Sequence, residues 1–198
     1  QTWLELVVKF LEKEMFKKFA ILDVETTGGK FNEEKITDIS ILVYDGIKVI
    51  NKFETLINPD KEIQPFVQRL TGITNELVKN SPKFKDVSKK IFNITKDKII
   101  VAHNVDFDYR VIKNEFQSIN IKYHRRSLCT VDLSRLIFPD LKSYKLTNLL
   151  LNFGIVNKNP HRANSDALGT LKLLQILINE DLEMKVIESK IKSNKNKQ

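Results

Sequence analysis

The sequence predicts a mixed α/β domain, one sheet with helices on both faces. Three observations carry this. The stretch "FAILDVE" (19–25) is apolar through its first four positions, which suits a strand covered on both sides and therefore central in a sheet. Two more strand-like runs follow at once, "KITDISILVYDG" and "KVINKFETLINP", joined at Asp45-Gly46, a pair suited to a hairpin turn. Further along, strand and helix patterns alternate.

Residues 4–11 place Leu4, Val7, Val8 and Leu11 at helical spacing. Residues 1–18 are therefore expected to be an amphipathic helix or an upstream extension, with Met15 an alternative start. A chain opening on glutamine is expected to be a fragment or a processed form. After the three strands, "PFVQRLTGITNELV" reads as one helix and "SPKFKDVSKKIFNI" as another, opened by Ser81-Pro82. "DKIIVAHN" is a strand and "VDFDYRVIKNEFQSI" the helix after it. "RSLCTVDLSRLI" is a short strand running into a helix. "SYKLTNLLLNFGI" is a helix closed near Gly154. "ANSDALGTLKLLQILINE" is the last long helix. The domain is expected over 19–182, with lysine-rich residues 183–198 as a frayed helix or tail.

The 198 residues suit one domain with a sizeable core, and 41% of them are hydrophobic. No apolar run approaches 18 residues, so no membrane span is expected. No signal peptide is expected either, because charges interrupt the apolar positions of the opening segment. The lone Cys129 forbids an internal disulfide, excludes a cysteine-rich zinc site and fits a reducing compartment; a cytoplasmic location is expected. The formal charge of +8 favours an anionic partner, and nucleic acid is the commonest large one. A lysine-rich surface alone produces the same number.

The chemistry is carried by acids in apolar settings. Asp23 and Glu25 alternate at the end of the buried strand and share a face. On the helix after "AHN", Asp108 lies over Val111, Ile112 and Phe116, the apolar stripe, whereas Asp106 lies on the solvent side as an ordinary first-turn acid. On the last helix, Asp166 lies over Gly169, Thr170, Leu173, Leu174 and Leu177; Gly169 there lets the helix approach a neighbour closely. Taken singly, each acid is equally well explained by a cap or a buried salt bridge. Three segments doing this together, without a matched Arg or Lys, point to cations between the carboxylates. Hard oxygen ligands select Mg²⁺ or Mn²⁺ over zinc. Two such ions about 4 Å apart are a device for cleaving phosphodiesters.

The attacking water then needs a base, the usual task of histidine. His161 stands five residues before Asp166, about 140° around a helix, so it is expected in the loop leading into the last helix, with Pro160 before it.

The set "DVETTG", "HNVDFD" and "HRANSDA" resembles the three exonuclease motifs of the DEDDh family, in particular the proofreading epsilon subunits of bacterial DNA polymerase III and related exonuclease domains. "INP…QRLTGIT" also matches. The likeness spans about Phe19 to Glu180, with 85 residues from Asp23 to Asp108 and 58 more to Asp166. It implies a ribonuclease H-like fold whose five-stranded mixed sheet has its second strand antiparallel to the rest. It implies hydrolysis of DNA from the 3′ end to nucleoside 5′-monophosphates with two Mg²⁺ or Mn²⁺. Asp23 would bridge the ions, Glu25 and Asp166 would complete one site and Asp108 the other, and His161 would be the general base. The backbone at Thr26, Thr27 and Gly28 would approach the terminal nucleotide of a single-stranded or frayed 3′ end. Ile73 would wedge against the terminal bases, and Asn104 would order the site. A polymerase III catalytic subunit is an implied partner, although the tail shows no clamp-binding segment. An RNA 3′-exonuclease of the same family, acting on tRNA ends or short oligoribonucleotides, shares all these motifs. A catalytically silent polymerase-associated module would lack at least one of the five motif residues.

Overall fold

The computed structural model describes residues 18–194. Six strands form one sheet in the order β3-β2-β1-β4-β5-β6. They are β1 (Phe19–Thr26), β2 (Ile36–Tyr44), β3 (Val49–Leu56), β4 (Ile99–Ala102), β5 (Arg126–Cys129) and β6 (Lys192–Ser193). The helices are α1 (Pro65–Thr71), α2 (Asn75–Val78), α3 (Phe84–Thr95), α4 (Val105–Ser118), α5 (Thr130–Ile137), α6 (Leu146–Asn152), α7 (Ala163–Glu180) and α8 (Lys185–Lys190).

β1 is central, as its apolar run requires. It pairs antiparallel with β2 and parallel with β4, so β2 runs against β1, β3, β4 and β5. The β2–β3 turn is held by Asp45, whose Oδ1 accepts the N–H groups of Ile47 and Lys48, with Gly46 at a φ of 97°. Alternation along the strands then builds two cores. One face, with Ala20, Leu22, Ile39 and Ile41, packs against α3 and α4 through Ile91, Ile112 and Phe116. The other, with Phe19, Ile21, Leu42 and Tyr44, packs against α5, α6 and α7 through Leu133, Leu149, Leu173 and Leu174. Helices thus cover both faces.

Four expectations need correction or restriction. The sheet has six strands rather than five: β6 adds two residues antiparallel to β5. The single helix expected over "PFVQRLTGITNELV" is two, because Gly72 adopts a left-handed φ of 72° and ends α1 with its N–H on the carbonyl of Gln68. The stretch expected as a frayed helix or tail forms a packed helix, α8, with Ile187 fully buried and its N–H donated to Asp181 Oδ2 at 2.8 Å. Packing therefore continues past residue 182. The amphipathic helix expected near the start lies, up to residue 17, outside the described residues. No helix among the described residues is long and apolar enough to cross a membrane.

Candidate active site

The carboxylates gather at the carboxyl end of β1, where antiparallel β2 lies on one side and parallel β4 on the other. Asp23 and Glu25 continue the face begun by Phe19 and Ile21, beneath α7. Across the pair, Ser40 lies opposite Asp23 and Asp38 opposite Glu25; the register then slips and Thr26 pairs with Ile36. α7 begins at Ala163, so Asp166 falls in its first turn, where the helix terminus favours a negative charge. Gly169 lets α7 sit tightly on α6: a Cβ there would lie 2.6 Å from Leu150 Cδ1. This packing carries Asp166 to β1. Asp23, Glu25 and Asp166 each present an oxygen within 4.8 Å of the other two.

Asp108 reaches the same strand from the other core. It is buried in the first turn of α4, and its Oδ1 accepts the N–H of Val24 at 3.2 Å. Val111, Ile112 and Phe116 are buried on its stripe, and Asp106 is exposed beside Lys192, as the helical spacing predicts. Asn104 precedes α4 in the left-handed region with a φ of 74°, its carbonyl accepting the N–H of Phe107.

The electrostatics are those of too much negative charge in too little water. Burial, then the charges of Asp108, Glu25 and Asp166, holds Asp23 well above the ordinary aspartate range. Burial, Asp166 and Asp38 raise Glu25 to about 7, opposed by Arg162. Burial and Glu25 raise Asp108 to about 8, opposed by the Val24 N–H. These all-oxygen donors fit a hard divalent cation, which would supply the charge the site lacks.

Of the three histidines, His103 is a structural tie. Its Nε2 meets the Tyr144 carbonyl at 2.8 Å and must donate, so Nδ1 accepts from Thr130 Oγ1 at 2.9 Å. Burial lowers its pKa and keeps this neutral tautomer. His124 lies near the end of the described chain, with Nδ1 3.3 Å from the Asn194 carbonyl. His161 occupies a turn two residues before α7, exposed, with a φ of 64°. Its backbone N–H donates to Asp166 Oδ2 at 2.9 Å, while Asn157 Nδ2 donates to Oδ1 at 2.6 Å. The loop before α7 is thus tied to Asp166 at both oxygens.

The residues expected to meet substrate divide. Thr27 is fully buried, its N–H on the Lys35 carbonyl and its Oγ1 donating to the Gly28 carbonyl. The Gly28 N–H points to Thr26 Oγ1 at 3.3 Å. Gly28 permits a close approach, but to protein: a Cβ would lie 2.8 Å from Val67 and 2.9 Å from Gln64. Ile73 is 0% exposed in a small cluster with Ile63, Val67 and Val78, so it offers no wedge surface; the exposed apolar side chains of α1 and α2 are Phe66, Leu70 and Leu77. Asn104 is exposed.

Two further acids went unread in the sequence. Asp38, buried within "KITDISIL", pairs with Arg162 at 3.2 Å. Glu115, seven residues after Asp108 on the same stripe, accepts from the Ile36 N–H at 3.0 Å and Lys35 Nζ at 3.1 Å. For Asp38 the sequence signal is that of Asp23, an acid inside an apolar strand; for Glu115 it is that of Asp108, an acid on the apolar stripe of a helix.

Residues 20–174 match the family described as Exonuclease (RNase T). The 3′-5′ exonuclease DinG of Staphylococcus aureus (strain bovine RF122 / ET3-1) is 39% identical over 157 residues, covering 79% of this chain and 18% of that protein. The chain therefore spans under a fifth of that relative's length. Among solved structures, exonuclease X in complex with 5′ overhanging duplex DNA is 27% identical with a TM-score of 0.67, covering 84% of this chain and 93% of that one. The nuclease domain of 3′hExo, a DEDDh family member bound to rAMP, shares the fold at 18% identity and a TM-score of 0.74, covering 91% and 98%.

Proposed function

Because the chain belongs to the exonuclease (RNase T) family, we propose that it hydrolyses DNA from the 3′ end, releasing nucleoside 5′-monophosphates in a repair or proofreading setting. The observation that carries this reading is the half-buried, under-neutralised set Asp23, Glu25 and Asp166, with buried Asp108 alongside. The 39% identical 3′-5′ exonuclease supports the polarity, and the DNA complex of the 27% identical relative supports DNA as substrate. The single cysteine supports a cytoplasmic location.

Asp23 would serve both cations, Glu25 and Asp166 would help hold one and Asp108 the other, a reading supported by the convergence of the first three carboxylates. Bound Mg²⁺ or Mn²⁺ would lower the pKa of a water and stabilise charge on the leaving 3′ oxygen. His161 takes the proton of the attacking water on an imidazole nitrogen, which its exposed place before α7 allows. Asn104, exposed at the head of α4, would contact the terminal nucleotide and order the site. The backbone from Thr26 to Gly28 shapes the floor beneath it rather than donating freely, since two of its N–H groups are already engaged. The substrate is a single-stranded or frayed 3′ end. A polymerase III catalytic subunit is the partner that a proofreading role requires.

The test is degradation of 3′-labelled DNA and RNA oligonucleotides of matched sequence, single-stranded and mispaired, with Mg²⁺ or Mn²⁺. Faster DNA hydrolysis is expected. Preference for RNA would replace this reading with the RNA 3′-exonuclease of the same family, and no hydrolysis of either would make the domain a binding module.

A further inference from the structure

Asp38 lies on β2 directly opposite Glu25, 6% exposed, in the floor of the site. It is not one of the three acids whose oxygens converge within 4.8 Å. Its carboxylate faces the start of α7 instead. Oδ2 lies 3.2 Å from Arg162 Nε, at the residue that precedes that helix. Arg162 is the residue between His161 and α7, and its carbonyl accepts the N–H groups of Ser165 and Asp166. One buried carboxylate thus grips the segment that presents the base on one side and Asp166 on the other. Burying a fifth acid beside Glu25 raises the charge repulsion there. Arg162 offsets that and opposes the rise at Glu25.

Resting on the exonuclease reading, we propose that Asp38 is a positioning residue, which clamps Arg162 at the start of α7 to set His161 and Asp166 in register with β1. A carboxylate suits this role because its pair with a guanidinium is charge-assisted, stronger than the neutral hydrogen bond an amide could make from the same place. Asp38→Asn keeps the shape and one acceptor but loses the charged pair. Arg162→Gln loses the same pair from the more exposed side.

The experiment has two readouts. Amide hydrogen exchange on the metal-free protein reads the clamp itself: Ser165 and Asp166, whose N–H groups rest on the Arg162 carbonyl, should exchange at least tenfold faster in both variants, with β1 amides unchanged. Unchanged exchange at both overturns the clamp whatever the activity. Steady-state hydrolysis reads its consequence: each variant should lose about 10- to 100-fold in kcat with little change in KM, as small misplacements of reacting groups do. Asp38→Asn should cost clearly less in a His161→Ala background than in wild type, the remaining loss being its effect through Asp166. An equal loss in both backgrounds would show that Asp38 does not act through His161. Wild-type protein that hydrolyses nothing would sink the exonuclease reading and leave the exchange result standing as the test of the clamp. Equal Mn²⁺ binding by wild type and Asp38→Asn is expected; loss of binding would make Asp38 a ligand instead.

Discussion

The backbone N–H of His161, not its side chain, holds Asp166, donating to Oδ2 at 2.9 Å. The imidazole is thereby left outside the hydrogen bonds that fix the first turn of α7. A side-chain substitution at 161 can therefore remove the ring and leave the carboxylate in place.

His161→Ala should cut the rate by roughly 10² to 10⁴, the usual share of general-base catalysis, with metal and DNA affinity little changed. His161→Gln should behave similarly, since an amide can hydrogen-bond water but cannot take its proton. Steady-state rates beside a Mn²⁺ titration check this. Metal binding lost together with activity would make His161 a ligand or a support.

Asp23→Ala, Asp108→Ala and Asp166→Ala should each nearly abolish hydrolysis with the fold intact. Asp106, exposed and paired only loosely with Lys192 at 3.4 Å, is the control, and Asp106→Ala should be close to silent. Retention of more than about a tenth of the rate by any of the three, under ~1.4 kcal/mol of barrier, would refute its place in the site.

The metal-free protein should lose stability as pH rises. Glu25 and Asp108 sit at about 7 and about 8, above their ordinary carboxylate values, so the folded state holds protons that the unfolded chain has released. Their contribution is full below the ordinary carboxylate range and is lost as pH climbs through 7 to 8. Melting temperatures in EDTA should fall between pH 5 and 8.5, and Mn²⁺ should flatten the slope. Asp108→Asn should melt higher than wild type in EDTA at pH 8. A melting temperature that rises with pH in EDTA would contradict the electrostatics of the site.

Mispaired and single-stranded 3′ ends should be degraded faster than matched duplex ends, because a paired terminus must first leave its stack. Binding should weaken as salt rises, since the basic chain meets phosphates. Equal rates on matched and mispaired ends would argue against proofreading.

Much of this architecture could be read from the residues, and the failures have physical causes. α7 spans Ala163–Glu180 as its periodicity predicts, because one long apolar stripe fixes a helix from local information alone. Asp108 was separable from Asp106 by the same rule. The break between α1 and α2 was legible in Gly72 but was overridden by an apolar rhythm that continues across it. Motif likeness places Ile73 at the surface; its burial depends on Ile63 and Val78 closing around it, which no local pattern reports. β6 pairs with a strand 66 residues earlier and has two residues, too few for alternation to register. Asp38 becomes interpretable only once the β1–β2 register sets it opposite Glu25.

The carboxylates around Asp23 should make this domain a metal-dependent 3′-end hydrolase. The most direct test is the first product released from a DNA single strand labelled in its 3′-terminal nucleotide, followed with Mn²⁺, with EDTA, and with Asp166→Ala. The expected result is labelled nucleoside 5′-monophosphate as the first product with Mn²⁺, and no release in the other two arms. Release of the label in longer fragments, or at an undiminished rate in EDTA, would contradict it.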